Sequence, residues 1–145
     1  MTPVNQTILN NKFIVKLECA GIESDLLDAF ATHCNEIDFS PMNVTITLHE
    51  SGDGIVHKLI DSLYKHSLTK PEISQITGQM IPPAGNAEIT VTVLDENNNE
   101  LFTDITKNQF LVNHQYHLKH MLMNEAVVYK LTFMTPQSAM MKPMI

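Results

Sequence analysis

A chain of 145 residues with 43% hydrophobic and 17% charged residues is long enough to bury one hydrophobic core and too short for two full-sized domains. Its 9 lysines and arginines against 16 aspartates and glutamates leave a net charge of −7, which disfavours a grip on nucleic acid, because phosphate binding needs a basic footprint. The same acidity suits nucleic acid in the opposite sense, by repelling it from the wall of a passage. The light charge also implies surface that a partner covers.

Two cysteines, Cys19 and Cys34, are no dense disulfide framework and read as small apolar residues in a reducing compartment. The opening MTPVNQTILNNKF lacks a basic region followed by an apolar run, and no stretch of about 18 apolar residues occurs. The expectation is a protein made in a cytoplasm, with no membrane binding of its own.

Residues 1–11, rich in Asn, Gln and Thr, read as a flexible arm. KFIVKLE then alternates Phe13, Val15 and Leu17 with Ile14, Lys16 and Glu18, the period of a strand with one buried face. SDLLDAFATH is a short helix or an ordered loop, with Ser24 as cap and Leu27, Phe30 and Ala31 inward. CNEIDF and MNVTITLHE are strands. The period then changes: in DGIVHKLIDSLYKH, residues Ile55, Val56, Leu59, Ile60, Leu63 and Tyr64 make one stripe that packs a helix on the sheet, with Asp53 as N-cap. PEISQITGQMIPPAGN mixes turn residues with Ile73, Ile76, Met80 and Ile81, a loop that packs on something; Pro82 and Pro83 exclude a central strand there.

The clearest signal follows. In AEITVTVL, Ile89, Val91 and Val93 alternate with Glu88, Thr90 and Thr92, and DENNNE turns the chain into LFTDIT, whose weaker alternation suggests a bulge. QYHLKHMLM and AVVYKLTFM read as two further strands, and residues 135–145 as a C-terminal arm without periodicity whose methionines could dock on a neighbour. The order predicts one mainly β domain over residues 12–134: an antiparallel sandwich or small barrel with one flanking helix.

Chemistry-bearing clusters are few. His114, His117 and His120 are spaced by three, which on a helix would gather a zinc site and on a strand sends His117 to the opposite face. Strand-like alternation around them favours sheet or interface histidines, so no metal or other cofactor is expected. SGDG, Ser51 to Gly54, could cradle an anion at a helix start, but it lacks the lysine of a phosphate-binding loop and reads as a tight turn. No nucleophile motif surrounds either cysteine, so no catalytic residue is assigned.

Taken in order, KFIVKLE, NVTITLHE, the abrupt helix GIVHKLIDSLY, and AEITVTVLDENNNELFTD followed by AVVYKLTFM resemble the tail tube proteins of long-tailed and contractile bacteriophages, relatives of the bacterial type VI secretion tube protein. Tyr64 stands where that family often carries an aromatic residue; the chain has no tryptophan. The resemblance implies a structural virion protein and no enzyme. It implies homo-oligomeric rings, usually hexameric, stacked into a hollow tube through which genomic DNA passes without specific binding, with sheath, baseplate and neck proteins as further partners. The loop Asp95, Glu96, Asn97, Asn98, Asn99 and Glu100 reads either as a solvated turn or as a projecting loop that touches the next subunit of such an assembly. Glu88, Thr90 and Thr92 would line the lumen, with Asp95, Glu96, Glu100 and Asp104 as other lumen acids. A tube-terminating, tube-initiating or baseplate ring protein, and a monomeric β-sandwich binding module, are the competing readings.

Overall fold

Period-two patterning becomes strand almost wherever it occurs. The computed structural model describes residues 12–50, 52–118 and 127–140. Along them run β1 (Phe13–Cys19), α1 (Ser24–His33), β2 (Cys34–Phe39), β3 (Val44–His49), α2 (Ile55–His66), β4 (Glu72–Ile73), β5 (Met80–Ile81), β6 (Ala87–Leu94), β7 (Glu100–Leu118), β8 (Val127–Met134) and α3 (Pro136–Met140). The fold is mainly β, as expected. Six strands make an antiparallel sheet in the order β1-β6-β7-β8-β3-β2, and β4 with β5 makes a small separate hairpin. The predicted arm 1–11 lies outside the described residues.

Two segments that the sequence separates, LFTDIT and QYHL, are one strand of 19 residues. The first half of β7 pairs with β6, from Leu94↔Glu100 to Ala87↔Gln109, and the second half with β8, from Phe110↔Met134 to Leu118↔Val127. Bulges mark the change of neighbour: the register shifts between Ala87 and Ile89 opposite Gln109 and Thr106, and again between Leu111 and Asn113. Asn108 sits in the first bulge at φ 59°, a left-handed conformation that asparagine tolerates and that bends and twists a strand. Gly85 lies so close to this bend that a Cβ there would overlap the backbone carbonyl of Asn108.

Ser67, 1% exposed, ties the parts together. Its amide donates to the carbonyl of Leu63 at 2.9 Å, closing α2, and its carbonyl accepts the amide of Asn86 at 2.8 Å, just before β6. Its hydroxyl accepts the amide of Leu111 at 3.0 Å, beside the second bulge.

Both halves of the sheet and both long helices feed one core. Val15, Leu17, Ile89 and Val91 from one half meet Ile46, Leu48, Leu131 and Phe133 from the other. Phe30 of α1 stands edge-on to Phe133 with ring centroids 6.3 Å apart. Each such side chain contributes roughly 1.5–3 kcal/mol by leaving water.

Several local expectations change. SDLLDAFATH is a full helix, so two helices flank the sheet; its buried residues are Leu26, Ala29 and Phe30, while Leu27 is only half-buried and Ala31 is exposed. Ser24 is its first helical residue and Glu23 the N-cap. Asp53 is not the N-cap residue of α2: Gly54 takes that position at φ 72°, Asp53 Oδ1 accepts the amide of Ile55 at 3.3 Å, and the Glu50 carboxylate accepts the amides of Val56 and His57, each at 3.0 Å. Of the helix stripe, Val56, Leu59, Ile60 and Leu63 are buried, Ile55 is half-buried, and Tyr64 stays 45% exposed because it points to the edge of the helix face. The predicted C-terminal arm begins as α3, where Thr135 Oγ1 accepts the amide of Ser138 at 3.1 Å and Pro136 opens the turn.

The bend and its tie give two expectations. Gly85→Ala should lower stability by about 1–3 kcal/mol by forcing β7 away, whereas Gly52→Ala, which meets nothing within 4 Å, should stay within about 0.5 kcal/mol of the parent in urea unfolding. Ser67→Ala, which strands the buried Leu111 amide, should cost about 1–3 kcal/mol in the same measurement; an unchanged midpoint would remove Ser67 from that role.

Candidate functional site

Since each half of β7 pairs with a single strand, the other edge of each half has no strand partner among the described residues. Leu101, Phe102 and Ile105 on the first half are about half exposed, at 46%, 50% and 54%. Polypeptide edges with large apolar side chains are a template for pairing with another chain. The strands β2 and β6 stand toward opposite ends of the strand order, yet they line a common cleft of about 370 Å³. Phe13, Ile37, Phe39, Val91, Val93 and Phe102 form its apolar wall, and Lys12, Glu36, Asp38 and Asp104 its polar one.

The loop from Asp95 to Glu100 is firmly built. Asp95 Oδ1 accepts the amides of Asn97 at 2.8 Å and Asn99 at 2.9 Å, and Asn98 takes φ 66°. Lys12 Nζ donates to Asn98 Oδ1 at 3.1 Å and to the carbonyl of Glu96 at 3.4 Å. The Asn99 amide, helped by that of Asn97 and by the Lys12 charge, holds the Asp95 carboxyl below its ordinary range. Glu100 belongs to β7; its carboxylate accepts the Thr103 hydroxyl at 2.6 Å, and Thr103 meets Thr92 at 3.1 Å.

Glu88, Thr90 and Thr92 are half-buried and share the face of β6 that alternates away from the core residues Ile89 and Val91. In register beside them on β1 stand Glu18, Lys16 and Ile14, and Lys16 pairs with Glu18 at 3.1 Å. The expected lumen residues therefore form one mostly polar sheet face. Asp104 does not join them; it lines the cleft.

His114 and His117 lie on a regularly paired stretch of β7, so their odd spacing sends them to opposite faces; His120 lies outside the described residues. Among the described residues no three His, Cys, Asp or Glu side chains gather as a metal site. Instead His114 Nδ1 meets the Tyr64 hydroxyl at 2.6 Å, with the rings edge to face at 5.4 Å. Partial desolvation raises the Tyr64 pKa, and a backbone hydrogen bond from His114 opposes the rise. Burial raises the Cys19 thiol and pushes Cys34 up to about 12, so both are held as thiols at neutral pH. At the start of α2 the Glu50 carboxylate already occupies the anion seat that SGDG suggested.

The segment expected to be a loop that packs on something forms a projecting hairpin instead. The β4–β5 hairpin does not bury its apolar residues on this chain: Ile73 and Met80 are each 68% exposed and Ile76 is 96% exposed. Glu50 and Ser67 were also not singled out, because their partners lie 6 to 44 residues away in sequence.

Comparison with known proteins finds no matching family model, and no curated protein or solved structure with significant similarity. No described helix is long and apolar enough to cross a membrane.

The Asp95 turn should be sensitive to acid. A depressed carboxyl contributes order that is complete above the unfolded carboxylate pKa and is lost as pH falls through the lower folded value. In NMR titrations the amides of Asn97 and Asn99 should shift together below the ordinary aspartate range, and Asp95→Asn should abolish that transition; a transition at or above the ordinary range would contradict the arrangement.

Proposed function

We propose that the chain is a structural subunit of a bacteriophage tail tube. The subunit is a sandwich- or barrel-like β domain whose copies form rings of six that stack around a lumen for DNA passage in the virion. One observation carries this reading: among the described residues the first half of β7 offers an unpaired edge with Leu101, Phe102 and Ile105 exposed. A monomer would blunt such an edge with charge, proline or a covering loop, whereas a ring satisfies it with the next copy. The polar face of Glu88, Thr90 and Thr92 suits a passage that does not hold DNA, since the acidic chain repels phosphate. Sheath, baseplate and neck proteins would be its partners, and a terminating or initiating ring would use the same contacts without growth. No catalytic role is part of the proposal.

The cleft favours a second reading, a monomeric β-sandwich module that binds a small apolar ligand between β2 and β6, because its volume of about 370 Å³ is ligand-sized. Negative-stain electron microscopy of the purified protein over a concentration series separates the two. Rings or hollow tubes of uniform diameter are expected. Particles that stay monomeric at millimolar concentration would overturn the tube reading and direct attention to ligand screening of the cleft.

A further inference from the structure

The cleft between β2 and β6 opens on the core face of the sheet, and strand pairing fixes which side chains it receives. Residues directly opposite each other in an antiparallel pair share a face. Phe13 and Phe102 both stand opposite Val93, and Asp104 stands opposite Val91, a core residue only 5% exposed. Phe13, Val93 and Phe102 therefore form one row across three strands on the core face, and Val15, Val91 and Asp104 form the next. On β2, Phe39 and Ile37 stand opposite the core residues Val44 and Ile46 and face the same space, while Glu36 and Asp38 alternate to its rim.

Asp104 is thus a carboxylate set on an apolar face. Among the described residues no hydrogen bond or ion pair reaches the carboxylate of Asp104, Glu36 or Asp38. Lys12 is the one cation among the lining residues, and its ammonium is engaged elsewhere, on Asn98 Oδ1 at 3.1 Å and the Glu96 carbonyl at 3.4 Å. Three phenylalanines, Phe13, Phe39 and Phe102, line the same space. A carboxylate among apolar groups favours an occupant that brings positive charge, and phenylalanine rings attract a cation as well as an apolar body. The volume of about 370 Å³ is that of a small-molecule site.

We infer that the cleft binds a small organic cation, an alkyl- or arylammonium whose nitrogen sits beside Asp104 and whose apolar body lies among Phe13, Phe39 and Phe102. The inference rests on the reading of this cleft as a ligand site and is independent of the tube. Asp104 selects the charge of the ligand and the phenylalanines select its apolar character. An uncharged molecule of the same shape takes water from the carboxylate without replacing it, and so binds more weakly.

Phenethylamine, an ammonium at neutral pH, and phenethyl alcohol, its uncharged counterpart, test this on the full chain by NMR titration. The amine should shift the amides of Phe13, Ile37, Phe39, Val93 and Phe102 and bind at least about tenfold more tightly than the alcohol. Asp104→Asn, at an exposed position, should match the parent in circular dichroism and bring the amine down to the affinity of the alcohol. Phe39→Ala, also at an exposed position, should weaken both probes several-fold, as expected of a ring that touches the aryl group. An alcohol that binds as tightly as the amine, or an amine indifferent to Asp104→Asn, would overturn the inference and leave the cleft a ligand site. If neither probe shifts these amides at millimolar concentration, both the inference and the ligand reading fall. Shifts that vanish as the protein associates at higher concentration would give the cleft to a second copy and overturn the inference as well.

Discussion

Ser67 holds together three parts of the chain that are far apart in sequence. Through its amide, carbonyl and hydroxyl it joins the end of α2, the entry to β6 and the middle of β7. Buried backbone groups must find partners, and the bulges that let β7 change neighbours free some of them from the ladder. A small hydroxyl at this position satisfies the Leu111 amide without adding bulk, and Gly85 leaves room for the Asn108 bend. With that junction formed, one strand serves β6 with its first half and β8 with its second. Both halves of the sheet then share one core with α1 and α2.

The same junction shapes the exposed apolar surfaces of the sheet. A strand that spends half its length on each neighbour leaves an edge of each half unpaired among the described residues. Its first half carries apolar side chains outward, and the curl that brings β2 toward β6 opens the cleft. The hairpin stem is fixed at the other end of β6 by Ser67 and Gly85. The separation of the apolar hairpin from the acidic cleft is therefore a consequence of how the sheet is tied.

The groups of the chain that chemistry could use are engaged in structure. Glu50 fills the amide cluster at the start of α2, Tyr64 and His114 hold each other across the edge of the helix, and burial keeps both cysteines protonated. Asp95 turns its carboxylate onto its own loop. Each of these uses a polar atom to satisfy the fold, in the way buried and semi-buried polar groups generally do.

Where the signal is local, the sequence alone determined the structure: alternation fixed the faces of β1, β3, β6 and β8, and helical spacing fixed Val56, Leu59, Ile60 and Leu63, because these periods depend only on neighbouring residues. The weak alternation of LFTDIT also announced an irregular strand. Tertiary structure alone decided that LFTDIT and QYHL are one strand, since residues 107–114 between them, with no regular alternation, gain their ladder bonds from β6 and β8. It likewise decided that Glu50 caps α2, that Tyr64 leaves the core for His114, and that the hairpin residues stay exposed. Each of these depends on contacts or packing that only the folded chain brings about, and a pattern read along the sequence carries no record of what the fold brings together or leaves uncovered.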